Sequence, residues 1–184
     1  MVPAINETPK TKLRKNTKPK KNMFDEIFDQ LAIFEGMDTS QRVLLKSYFV
    51  VCECNDEEVI FAQGDCAEFL YVVIEGEVSI HFKPDDGPQL VVNRIQSDGV
   101  FGWSAAFGSG FYTSGATCTV SSKLLSVRGA DLKMLREKHP ETGILILERL
   151  AAVVARRMEN EDDHSQVVAL LEHGLKNGVK PIGG

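Results

Sequence analysis

Between Phe49 and Val127 the apolar residues fall in short runs of β-formers, cut by polar turn clusters at Asn55-Asp56, Gly64-Asp65, Glu75-Gly76, Lys83 to Pro88 and Ser97 to Gly99. That rhythm predicts a small antiparallel barrel, a β-roll or jelly roll. Lys83 to Pro88 reads as a plain hairpin tip, because proline cannot donate within a ladder and Asp-Gly suits the turn. Helical patterns bracket the barrel, so the fold class is mainly β with flanking helices and a long C-terminal helix. From Thr142 to about His173 no proline interrupts the chain. Leu147, Leu150, Val154 and Met158, then Val167, Val168 and Leu171, recur there at spacings near three and four, which predicts one long helix, broken near Glu161-Asp162-Asp163.

The stretch SDGVFGWSAAFGSGFYTSGATCTV, residues 97–120, is punctuated by glycine and rich in hydroxyls. It lies between two strand-like runs, Gln89 to Ile95 and Ala116 to Val127, and so is held at both ends. Phe101 to Phe107 has room for about two turns of helix. Gly102 lets the backbone approach a ligand closely. Free amides at a helix start favour an anion, because they lack intrahelical partners and the macrodipole is positive there. Thr113, Ser114 and Thr117 add hydroxyl donors. The candidate ligand-binding set is therefore Phe101, Gly102, Trp103, Ser104, Ala105, Thr113, Ser114, Gly115 and Ala116. Read locally, the same segment also fits a surface loop capped by its own Ser and Thr.

The order of segments from about Phe24 to Met158 resembles the cyclic nucleotide-binding domain of the catabolite activator protein family. Phe24 to Phe28 with Leu31 to Phe34 is similar to the opening helix, and Gln41 to Tyr48 to the second. Glu58 to Asp65 is similar to the strand ending in a Gly-Asp turn, and Phe69 to Ile80, with Ile74-Glu75-Gly76-Glu77-Val78 at its centre, to the following hairpin. Gly64 and Gly76 stand where tight turns need a positive φ. Lys123 to Val127 resembles the last barrel strand and Ala130 to Lys138 the short helix after it. The resemblance implies a regulatory ligand-sensing domain that signals through its C-terminal helix, with cyclic AMP or cyclic GMP as candidate ligand and no cofactor.

The family's loop carries a glutamate just after Phe-Gly for the ribose and an arginine before the next strand for the cyclic phosphate. Here Trp103 follows Phe101-Gly102, and Ser114 stands at the arginine position when Ala116-Thr117 is aligned with the family pattern. A charge-assisted Arg–phosphate contact is about twice as strong as a neutral one, so cyclic nucleotide binding is expected to be weak or atypical. Three readings stay open. Helix amides and hydroxyls take a cyclic nucleotide, with Trp103 stacking on it. A smaller or more apolar ligand suits Trp103 and Phe111 better. Or Trp103 fills the pocket, leaving a ligand-free oligomerisation or protein-interaction module.

The apolar stripe Leu147, Leu150, Val154, Met158 is the expected seam of a homodimer, with packing on the chain's own barrel as its alternative. Residues 1–22 hold seven Lys or Arg against the single Glu7 and are expected to form a disordered basic tail. Removing them from totals of 21 basic and 26 acidic residues leaves 14 and 25, so an acidic body carries a basic tail. The domain proper is expected over 23–158, and 159–184 as helix extension and flexible end. About 60 further residues would be needed for a helix-turn-helix reader, so no DNA-binding domain is expected. Neither a signal peptide core nor a run of 18 apolar residues occurs, which predicts no membrane span and a cytoplasmic protein with a downstream protein partner. Cys52, Cys54, Cys66 and Cys118 fit buried small hydrophobes in a reducing compartment, and with scattered histidines no metal is expected. No nucleophile elbow, Walker loop or His-Glu-x-x-His occurs, so catalytic residues are not expected and the chain reads as a non-enzyme.

Overall fold

A strand buried on both faces has no reason to alternate, and Phe69-Leu-Tyr-Val-Val-Ile-Glu75 does not: its five central residues are all buried. That run is the third of eight strands. A computed structural model describes residues 23–85, 87–107 and 110–158, as α1 (Met23–Gln30), a 3-10 turn (Ala32–Phe34), α2 (Thr39–Lys46), β1 (Val50–Cys54), β2 (Val59–Phe61), β3 (Phe69–Glu75), β4 (Val78–Phe82), β5 (Leu90–Ile95), β6 (Val100–Phe101), α3 (Ser104–Phe107), β7 (Gly115–Cys118), β8 (Ser122–Arg128), α4 (Gly129–Lys138) and α5 (Pro140–Met158). The expected basic tail and the extension past Met158 lie outside the described residues.

The strands form two four-stranded sheets, ordered β1-β8-β3-β6 and β2-β7-β4-β5, with every pairing antiparallel. This is the expected jelly-roll arrangement. One face of the first sheet, through Leu70, Val72, Ile74, Leu125 and Val127, packs with Phe28, Phe34, Leu45, Leu135, Ile146 and Leu150 from the helices. Tyr71, Val73, Phe101 and Leu124 instead pack with Val78, Ile80, Ile95, Ala116 and Cys118, the residues that fill the space between the sheets. Gly64 and Gly76 turn with φ of +87° and +98°, as their turns require.

The strand-like run Ala116 to Val127 is two strands, β7 and β8. They part at Thr119, whose amide and hydroxyl both donate to the Glu77 carbonyl beside β4, at the end of the β4–β7 ladder. α2 begins at Thr39, two residues before the Gln41 start that the resemblance implied, because Asp38 and Gln41 form a reciprocal capping box. α4 ends at Lys138 with His139 as its cap, and α5 begins at Pro140, where proline is tolerated because a first-turn amide has no intrahelical acceptor. Two close backbone approaches join the helices to one another, and one hydrogen bond ties them to a barrel turn. A Cβ on Gly129 would lie 1.9 Å from the Ala105 carbonyl oxygen, and one on Gly143 would lie 2.4 Å from Arg136 Cα. The Ala32 amide donates to Asp98 Oδ1 at 2.9 Å, from a turn in which Asp98 itself adopts a φ of 66°.

Candidate functional site

The loop between β6 and β7 leaves the barrel at Gly102, where φ is +69° and a Cβ would meet the Phe69 carbonyl oxygen at 2.8 Å. Only glycine fits that approach without displacing β3. The expected two turns of helix reduce to one, Ser104–Phe107. The amides of Ala105, Ala106 and Phe107 close that turn on the carbonyls of Gly102 and Trp103. The correction has a local cause: Gly108 and Gly110 follow directly, and glycine is a poor helix former.

Tyr112 fixes the far limb of the loop, and sequence reasoning did not single it out. It is buried, stacks on Phe61 with centroids 3.6 Å apart, and its hydroxyl donates to the Phe69 carbonyl at 2.7 Å while accepting from the Phe69 amide at 3.1 Å. Its backbone accepts from Gly64 and donates to Asp65, so the Gly-Asp turn and the loop form one unit. Burial pushes the Tyr112 hydroxyl up to about 12, and the group stays protonated as its two hydrogen bonds require. Tyr71 and Phe101 stack at 5.1 Å beside this pair and extend an aromatic layer between the sheets. Phe61 and Phe101 end β2 and β6, Tyr71 lies within β3 and Tyr112 precedes β7, so no local sequence signal joins the four.

The candidate residues divide between two environments. Phe101, Gly115 and Ala116 are buried, Ser114 and Gly102 half-buried, and Thr113 exposed. Neither the Thr113 nor the Ser114 hydroxyl bonds another described residue, so both are available to a ligand. Ser104 is buried and Ala105 half-buried, on the side of the loop that meets α4. Trp103 is half-buried and packs against the helix-facing cluster, not among the residues between the sheets. A ring so placed ties the loop to the helical layer; the space between the sheets is filled by the aromatic layer.

On the next strand a further group meets this loop. The His81 imidazole lies where a Cβ on Gly115 would be, 2.1 Å from its Cε1, and its Nε2 is 2.9 Å from Thr117 Oγ1. Burial lowers the His81 pKa, so the ring is neutral at physiological pH and serves as packing for the glycine.

Along α5, Leu150 is fully buried in the chain's own core, which corrects its assignment to a dimer seam. The reason is that α5 lies against α4 and the Ala32–Phe34 turn, so the middle of the stripe faces inward. Leu147 and Val154 are half-buried on the same cluster, Ile144 is exposed, and the Met158 side chain lies outside the described residues. Of the cysteines, Cys54 and Cys118 are buried as expected, whereas Cys66 is exposed beside Phe111. The thiol of Cys54 is raised by its hydrogen bond with Cys118 and by burial, and burial pushes Cys52 up to about 11, so both remain protonated. Among the described residues no group of three or more His, Cys, Asp or Glu is placed to hold a metal, and no helix is long and apolar enough to cross a membrane.

With two glycine turns, a glycine-gated loop and a closing helix layer in one barrel, the class is that of a cyclic nucleotide-binding fold. Residues 51–139 match the family model of the cyclic nucleotide-binding domain. It is 27% identical over 140 residues to a CRP-like cAMP-activated global transcriptional regulator of Mycobacterium tuberculosis, covering 76% of this chain and 61% of that one. The chain thus spans less than two thirds of that relative. It is 26% identical over 160 residues to the cyclic AMP receptor protein of Thermus thermophilus, covering 82% and 72% of the two chains. A crystal structure of a cyclic nucleotide-binding domain from Methylobacillus flagellatus superposes with a TM-score of 0.66 at 14% identity, covering 88% of each chain, which supports the fold.

Proposed function

We propose that this chain is a regulatory ligand-sensing domain that takes a cyclic nucleotide weakly or in an atypical manner and signals through α5. The observation that carries the reading is the pair of replacements in the loop. Trp103 and Ser114 stand where the resembling family places its ribose glutamate and phosphate arginine, inside a loop whose Gly102 turn is retained. Without a cation at position 114 the cyclic phosphate keeps only neutral donors, among them the hydroxyls of Thr113 and Ser114. Signalling is supported by the chain of close contacts that starts in the loop. Trp103 packs on the helical cluster, α3 touches α4 at Gly129, and α4 touches α5 at Gly143. A ligand that displaces α3 must therefore act on α5, provided its affinity differs between the two helix positions. The domain acts in the cytoplasm by binding alone, and as a homodimer it pairs along the outer side of α5, where Ile144 is exposed beside half-buried Leu147.

A second reading, a ligand-free assembly module, draws on the aromatic layer of Phe61, Tyr71, Phe101 and Tyr112 that occupies the space between the sheets. Calorimetric titration with cyclic AMP and cyclic GMP, with emission of Trp103 followed in parallel, separates the two. Saturable heat with a change in emission is expected of the sensor. Flat titrations of folded protein into the millimolar range would leave the assembly module.

A further inference from the structure

Outside the barrel, α3, α4 and α5 enclose a cleft of about 260 Å³, on the side of the β6–β7 loop away from Thr113 and Ser114, neither of which lines it. Its apolar walls are Ala105, Gly129, Leu132 and Leu147, and two cations, Lys133 and Arg136, stand at its edge. Both are exposed, and neither forms an ion pair or hydrogen bond with another described residue. The other basic residue near the start of α4, Arg128, is paired with Asp131 at 2.9 Å. The cleft persists because two glycines hold its walls: α3 approaches Gly129 and α5 approaches the Arg136 backbone through Gly143. Small side chains at Ala105 and Gly129 leave the space between those contacts unfilled.

We infer that this cleft is a second ligand site, taking a small amphipathic carboxylate whose apolar body lies on Leu132 and Leu147 and whose anionic head meets Lys133 and Arg136. Its chemistry argues for that class. An apolar floor beside two unpaired cations favours one negative head on an apolar body, and a guanidinium offers the planar fork that matches a carboxylate. Its size argues for a small ligand, since about 260 Å³ falls below the roughly 300–1,000 Å³ typical of drug-sized sites. The three walls belong to the loop helix and to both C-terminal helices, so occupancy acts on the spacing that couples loop to α5. The site stands whether or not the barrel takes a cyclic nucleotide.

The test uses sodium octanoate and uncharged 1-octanol as probes, with backbone amide NMR of the full chain. Octanoate is expected to saturate, shifting the amides of Ala105, Gly129 and Lys133, with 1-octanol at least about tenfold weaker. The double variant Lys133→Gln, Arg136→Gln should weaken octanoate about tenfold or more, whereas Lys138→Gln, on the same helix but not lining the cleft, should leave it unchanged. All three side chains are exposed, so the variants should fold. Shifts without saturation, shifts centred on the barrel loop, or equal affinity in the double variant would overturn the inference. A parallel cyclic AMP titration in the presence of octanoate tells this failure apart from that of the barrel site.

Discussion

On the proposed reading, position 114 presents a hydroxyl to the cyclic phosphate where the resemblance puts a cation. Ser114 is half-buried just before β7, with the buried Gly115 and Ala116 behind it. Ser114→Arg should therefore raise affinity for cyclic AMP, by about 1.5–3 kcal/mol for a hydrogen bond to a charged partner, or about ten- to a hundredfold. Titration calorimetry reads this directly, and unchanged affinity would mean that the phosphate does not lie beside position 114. Glu77 offers a second residue-scale test. Its carboxylate accepts from Gln96, Arg94 and Thr119, which hold its pKa near 2 against an ordinary 4.5. A lowered folded pKa stabilises above the unfolded value and loses that contribution as pH falls through the folded one. Acid unfolding should steepen between pH 4.5 and about 2, and Glu77→Gln should flatten that stretch of the stability profile. The Gly102 turn was legible in the sequence, because a close backbone approach with positive φ at glycine is a local rule. Tyr112 was not, because its partners Phe61 and Phe69 lie far off in the chain and only the fold assembles them.

Among the elements, the strands and short helices follow the turn clusters closely, since glycine and proline act locally. α3 is shorter than the length of Phe101 to Phe107 allows, and the apolar stripe of α5 turns its middle toward the chain's own core. Periodicity marks an apolar stripe but does not say whether the covering surface is the same chain or another copy. Leu150 decides the matter at its position: it is fully buried in a cluster with Phe34, Leu135 and Ile146. Leu150→Ala should cost about 2–5 kcal/mol in chemical denaturation, and that loss relative to the parent chain should be the same at every protein concentration. A loss that disappears at high protein concentration would return Leu150 to a subunit interface.

Over the whole molecule, two sheets hold an aromatic layer, one loop spans from barrel to helices, and Gly129 and Gly143 pass that contact on to α5. The barrel class was readable from the sequence because jelly-roll turns recur at short intervals. The contact route proposed for signalling was not, for it consists of backbone approaches that leave no mark beyond a glycine inside or beside a helix. The most direct test of the account is hydrogen exchange of α5, Pro140–Met158, with and without cyclic AMP at concentrations that calorimetry shows to saturate. The account predicts saturation and a change in α5 protection together with a change in Trp103 emission. No saturation into the millimolar range, or saturation that leaves α5 exchange unaltered, would contradict it.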